Sequence, residues 1–539
     1  MRRLTAILLL IATPLLAQEE GGLPELEVEN VTIVGTRTVR LPPARKGEVV
    51  DSSVYVLPPK DTLLFASRLS GFGGPGGALP GYREFEPPMS AHAEASFGTY
   101  LSPRLMAHAE YNQRSFDLMG TIDFRGTAGH VDSAEASSLL LEARGGILLG
   151  SDDPAAPRVR ITAGFDRIGD SYFLYGSRVA AYDRSRAATR VQAALHSAQD
   201  ALLDYDLYFH LEHTAVDDLL GDSTATATAS IPGFGLALAA GNDTLRGRIG
   251  VDYQIASLRY GRSASTPNWV SAHGDLEWHA SPQFLVTGGL AYGGAQRSDT
   301  ADAVTLLLPR VSLRLQAAPS LALYASYLPE LRAPSYRNRI MRSAYVDRAI
   351  TLRPEKVPLS LAAGARFTGA STSLDARVLL ETAEGTPVVS ADTAIRGSLR
   401  YEHVDSRTLS IRAGVQTELL PRLGLLAEAE IRSAVDQETD EQLPMVPQID
   451  VRVRGDYEIG EALGLFGAVR YESAQRTSLG DRSREVDARL LLDAGATLQF
   501  SPGIALFGEV TNLLGASYDL WDGYSAPGLE LRAGARVTF

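Results

Sequence analysis

The stretch Leu529-Glu-Leu-Arg-Ala-Gly-Ala-Arg-Val-Thr-Phe539 ends the chain and decides how the rest is read. Leu529, Leu531, Ala533, Ala535, Val537 and Phe539 alternate with Glu530, Arg532, Gly534, Arg536 and Thr538. Successive side chains of a strand point to opposite faces, so one face here is apolar and the other mostly charged. A soluble sheet can show this pattern once. Its recurrence over hundreds of residues upstream suits a wall with lipid on one side and water on the other.

Working backwards, the same alternation fills the chain from about Met89. Leu203, Tyr205, Leu207, Phe209 and Leu211 interleave with Asp204, Asp206, Tyr208, His210 and Glu212. Leu245, Ile249, Val251, Tyr253 and Ile255 face away from Arg246, Arg248, Asp252 and Gln254, and Ile449, Val451, Val453, Tyr457 and Ile459 from Asp450, Arg452, Arg454, Asp456 and Glu458. Residues 486–500 repeat the pattern with Asp487, Arg489 and Asp493 on the polar face. Runs of about nine to fifteen residues are long enough for tilted strands to cross a membrane. Turn signals separate them at 112–114, 152–154, 281–282, 319–320, Glu384-Gly385, 421–422, 458–461 and 501–503. Counting runs and turns gives about 22 strands, an even number as expected when both ends of a barrel lie on one side of the membrane. Strands facing lipid must pair every backbone group, which only a closed sheet achieves. The fold expected over residues 89–539 is therefore all-β, one large antiparallel transmembrane β-barrel.

The front of the chain differs. Met1-Arg-Arg-Leu-Thr-Ala-Ile-Leu-Leu-Leu-Ile-Ala-Thr-Pro-Leu-Leu-Ala17 has the basic start, apolar centre and small final residue of a secretory leader cut after about Ala17. Removing Arg2 and Arg3 leaves 49 of the 51 basic residues against 64 acidic ones, a balance of −15 that argues against nucleic acid as a partner. There is no Cys, hence no disulfide or thiolate metal site, and no later apolar run of helix-spanning length. Residues 18–88 carry Pro42-Pro43, Pro58-Pro59 and the Gly71–Gly77 cluster, which read as irregular, linker-like chain.

Four short motifs resemble one family in the expected order. They are Leu26-Glu-Val-Glu-Asn-Val-Thr-Ile-Val-Gly-Thr-Arg-Thr38; Leu323-Tyr-Ala-Ser-Tyr-Leu-Pro-Glu-Leu-Arg-Ala-Pro-Ser-Tyr336; Leu352-Arg-Pro-Glu-Lys356; and Phe507-Gly-Glu-Val-Thr-Asn-Leu-Leu-Gly-Ala-Ser-Tyr518 with the closing strand. Together they resemble TonB-dependent outer-membrane receptors. The resemblance implies a Gram-negative-type outer membrane with its lipid and lipopolysaccharide as surroundings, uptake of a small solute, anionic or metal-chelated, and no covalent chemistry or cofactor. It also implies that Phe539 and Val537 form a C-terminal signal for the barrel-assembly machinery. Glu27, Val28, Val31, Thr32, Ile33 and Val34 would be the segment that TonB joins as an added strand. The same residues also suit an ordinary edge strand or tail. The chain departs from the family in having only 71 residues from Gln18 to Pro88, too few for a full plug domain. A plugless passive porin, or the membrane scaffold of a larger complex, is the alternative.

Nine His are scattered singly, and no catalytic pair stands out. His210-Leu-Glu-His213 puts His210 and Glu212 on one face of a strand and His213 on the other, which disfavours a metal site. The charge feature that stands out is residues 331–353, where Arg332, Arg337, Arg339, Arg342, Arg348 and Arg353 face only Asp347. It reads as an electropositive ligand loop at an outer mouth, or as a set of braces and lipopolysaccharide contacts. Because a barrel this wide leaks unless filled, residues 18–88 are expected in or below the lumen. Ion pairs among inward Asp450, Arg452, Arg454 and Asp487 are expected to help fill it.

Overall fold

The computed structural model describes residues 89–539 except 114, 151–158, 177–181, 198–202, 297–302, 461 and 481–482. The leader, the linker-like region and the six TonB-segment residues lie outside the described residues.

The described chain is a closed antiparallel barrel of 22 wall strands. The first eight are β1 (Met89–Gly98), β2 (Ser102–Asn112), β3 (Phe116–Thr127), β4 (Ala136–Leu149), β5 (Val159–Phe173), β6 (Asp183–Ser197), β7 (Leu203–Leu220) and β8 (Ser223–Gly241). Strand β9 (Leu245–Ile255) continues past Ala256 as Ser257–Tyr260, and β10 (Asn268–Ser281) is preceded by its short extension Ser263–Ser265. Next come β11 (Phe284–Gln296), β12 (Ala303–Ala318), β13 (Leu321–Tyr327, extended by Glu330–Arg332), β14 (Glu355–Thr368), β15 (Thr372–Ala391) and β16 (Leu399–Leu420). The ring is completed by β17 (Leu423–Asp436), β18 (Ile449–Ile459), β19 (Leu463–Glu472), β20 (Arg489–Ser501), β21 (Ile504–Thr511) and β22 (Glu530–Thr538).

Closure is made by the C-terminal strand. β1 pairs with β2 on one side and with β22 on the other, Ala93 opposite Val537 and Glu94 opposite Arg536. Past the strand end, the Phe539 amide donates to the Ala91 carbonyl at 2.7 Å. With no free edge, every wall strand has two partners, as a lipid-facing sheet requires. The alternation read from sequence is the alternation observed: Leu207 and Phe209 are 46% and 48% exposed on the outside, whereas Glu212 is 6% exposed within.

The two ends differ. Turns on the Phe539 side are as short as residues 282–283, 319–320, 421–422 and 502–503, while the other side carries the connections 333–354, 437–448, 473–488 and 512–529. Short turns mark the periplasmic end of such barrels and long connections the outer end. Phe539 thus sits at the periplasmic rim.

Two local expectations change. Glu384-Gly385 is no turn: β15 runs straight through it, with a bulge between Ala383 and Thr386 and Gly385 at φ +74. A glycine that accepts positive φ serves a bulge as readily as a turn. Asp487 is not on a wall strand either. β20 begins at Arg489, and Asp487 is exposed in the 473–488 connection. Arg452 does pair with Asp450, at 2.8 Å, and Arg454 with Asp456, also at 2.8 Å.

Asn512 explains part of the closing motif. It turns the chain at φ 50, its carboxamide bridges Ala516 in both directions at 2.8 and 2.9 Å, and its amide donates to Asp493 at 2.9 Å. Asn is the non-glycine residue best suited to that conformation, because its short amide can satisfy the local backbone.

Candidate functional site

The site lies in the outer half of the lumen, and residues 333–354 build it. After β13 the chain leaves the wall at Ala333-Pro334, and Ser335 caps a short helix, α1 (Tyr336–Arg342), by accepting from the Asn338 amide at 3.1 Å. Tyr336 and Ile340, four residues apart, share one helix face and are fully buried. Their seat is the inward face of the wall at Ala188, Val216, Ala229, Ile231, Leu258 and Trp269. These inward positions are apolar, unlike the charged inward positions nearer the periplasmic end. An apolar patch facing a water-filled lumen would be unfavourable, so its burial under α1 stabilises the inserted connection.

Polar contacts fix it in place. Arg184 of β6 makes a two-pronged pair with Asp218 of β7 at 2.6 and 3.1 Å, and its free Nη1 donates to the carbonyls of Ala344 and Val346 at 3.1 and 2.5 Å. Arg348 reaches the same Asp218 carboxylate. Arg186, paired with Asp170 at 2.8 Å, donates to the Ile340 carbonyl. Arg337 pairs with Asp166 of β5, and Ser335 donates to Glu212 of β7 at 3.0 Å. Tyr172 donates to the Ala344 carbonyl at 2.5 Å and Tyr260 to that of Ile350.

Above this lies an aromatic cap. Tyr345 stacks on Tyr524 of the 512–529 connection at 3.7 Å and 15°, and Tyr175 meets Tyr524 edge-on at 5.3 Å. Burial raises the phenol pKa of both Tyr345 and Tyr524. Tyr524 donates to the Gly397 carbonyl at 2.9 Å, and Arg484 ties Asp522 at 2.5 Å. Gly176 is required here, since a Cβ would stand 2.8 Å from the Tyr524 ring.

The residues singled out from sequence are placed as follows. Arg332 bridges Glu330, Glu355 and Glu381 at 2.6, 3.0 and 2.7 Å. Arg337 and Arg348 hold wall carboxylates as described. Arg339 is buried against the Thr351 and Arg353 carbonyls and His403 at 2.9, 3.2 and 3.0 Å, and burial pulls its guanidinium down to about 10. Arg342 is half-buried at the end of α1 with no carboxylate partner among the described residues. In this state Arg332, Arg337, Arg339 and Arg348 act as braces. Val537 lies on the closing strand between Ile504 and Ala93, and Phe539 follows just past the strand end at the periplasmic rim. His210 and His213 are on opposite faces, His213 being exposed.

The expectation that residues 18–88 fill the lumen lies outside the described residues; among the described residues it is 333–354 that enters the lumen, from the outer side. A signal for this was present. In Ser223-Thr-Ala-Thr-Ala-Thr-Ala-Ser230 the usual order is inverted, with Ala227 and Ala229 inward and Thr224 and Thr226 outward.

Comparison with known proteins agrees with the geometry. The family profile described as TonB dependent receptor-like, beta-barrel matches residues 113–513. Comparison with curated proteins found no match. Among solved structures, the chain is similar to the FrpB iron transporter from Neisseria meningitidis (F3-3 variant), with TM-score 0.66 and 11% identity over 84% of this chain and 82% of that one. It is similar to the copper transporter OprC, with TM-score 0.62 and 16% identity over 84% and 81%. A third is the siderophore receptor PiuA from Acinetobacter baumannii, with TM-score 0.64 and 12% identity over 84% and 82%. At these identities the structures establish the shared fold, while the profile covers well over half of the sequence. The chain belongs to the TonB-dependent receptor-like β-barrel family of the Gram-negative outer membrane.

Proposed function

We propose that this protein takes up a small anionic or metal-chelated solute across the outer membrane, without covalent chemistry, in a cycle coupled to TonB. Residues 1–17 are the leader, 18–88 the coupling region with Glu27, Val28 and Val31 to Val34 as the strand TonB would add to, and 89–539 the barrel. The observation that carries the reading is that residues 333–354 cross the outer lumen held by side chains and hydrogen bonds rather than as wall backbone, so they can move without breaking the barrel. The arginines of 331–353, Arg342 foremost because it has no carboxylate partner, are the groups a solute carrying negative charge would meet on entry. The neighbouring folds described as iron, copper and siderophore proteins support a metal-chelate cargo.

The test is accumulation of radiolabelled ferric chelates by cells that depend on this barrel, comparing the intact chain with one lacking residues 27–38. Coupled uptake is abolished by the deletion. Uptake that survives it would establish a passive pore, and no accumulation by either chain would remove metal chelates as cargo.

A further inference from the structure

We infer that residues 333–354 are a strap that closes this lumen by itself, independently of residues 18–88, and that it opens by releasing ion pairs on the wall away from its root. The strap leaves from β13 and returns to β14, yet Arg348, Ser335 and Arg337 fasten to Asp218 and Glu212 on β7 and Asp166 on β5. Those anchors are six to nine strands round a ring of 22, in which eleven is directly opposite. A segment rooted on one side and tied that far round must pass through the lumen.

Its two sides are fastened by different chemistry. On the root side Val346 forms a parallel bridge with Leu399, the Asp347 amide donates to the Leu399 carbonyl at 2.8 Å, and Tyr401 donates to the Arg339 carbonyl at 3.0 Å. Backbone bridges of this kind suit a hinge. On the far side the Arg337–Asp166 tie has partial access to water, its side chains being 12 and 24% exposed, while Arg348, 26% exposed, meets the fully buried Asp218. Partly solvated pairs can exchange for water at modest cost, which suits a latch. Arg184, fully buried with Asp218, would stay on the wall as the receiving half. Only the purpose of opening rests on the proposed uptake role; closure does not.

The test is swelling of proteoliposomes in arabinose, each variant first checked for the heat-modifiable gel mobility of a folded barrel. The full chain swells little above empty liposomes, and so does the chain lacking residues 18–88. Replacing 333–354 by a short Gly-Ser link gives rapid swelling. D166R or R337D alone speeds swelling by up to about fivefold, since losing one partly exposed pair biases a two-state equilibrium by at most about that factor, and the D166R/R337D double variant returns towards the full chain. Slow swelling after strap replacement, rapid swelling after removing 18–88 alone, or no rescue in the double variant would each overturn the inference. Failure of ferric-chelate uptake would leave these results untouched, so the two readings fail separately.

Discussion

Arg184 and Asp218 stand directly opposite each other on β6 and β7, and both side chains are wholly buried in a two-pronged ion pair that Arg348 of the strap shares. Asp218 therefore holds one cation belonging to the wall and one belonging to the strap. Asp218→Asn leaves both guanidiniums without their counter-charge. Removing one partner of a buried pair costs about 3 to 5 kcal/mol, so denaturant unfolding in detergent should begin at a lower concentration. An unchanged midpoint would mean that the pair does not hold the strap.

The Tyr345–Tyr524 stack joins the strap to the closing connection, and Tyr524 also holds Gly397. Tyr524→Ala removes a fully buried ring, a loss of about 3 kcal/mol or more concentrated in the cap. Limited proteolysis of intact cells should then cut within 333–354 or 512–529 while the wall stays resistant. Equal protease resistance would show that the cap does not depend on the stack.

Acid should loosen the same cap. His130 contacts Ser525 at 3.3 Å and packs edge-on against Tyr100 and Tyr175. Burial holds its pKa below the ordinary 6.5, with a hydrogen bond to the Ser525 backbone opposing, so the folded cap favours the neutral ring. That stabilisation is complete above the unfolded value and is lost as pH falls through the lower folded value. Hydrogen exchange at residues 128–135, corrected for intrinsic rates, should be faster at about pH 5 than at about pH 7.5, and His130→Gln should flatten the difference. A wild-type profile with no pH dependence would refute the assignment.

The period of two was enough to read the wall, because burial on one side and lipid on the other act on every residue in turn. Leu203 to Glu212 and Leu529 to Phe539 lie as that rule requires. It failed where two conformations share one residue type, as at Gly385, where a bulge and a turn demand the same glycine. The destination of residues 333–354 was not legible from their own sequence. An arginine-rich connection reads as a solvated mouth until the carboxylates it will meet, Asp166 and Asp218, are brought to it by strands more than a hundred residues earlier. The complementary sign lay in the seat, where Ala227, Ala229 and Ile231 face inward although the inward positions nearer the periplasmic end are charged.

Single-channel recording of the full chain in a planar bilayer tests the central claim, that this family barrel is closed by its own outer connection, most directly. The expected record is a closed baseline with at most brief openings, rising to a sustained large conductance when residues 333–354 are replaced by a short link. A large, steady, ohmic current through the unmodified protein would contradict it.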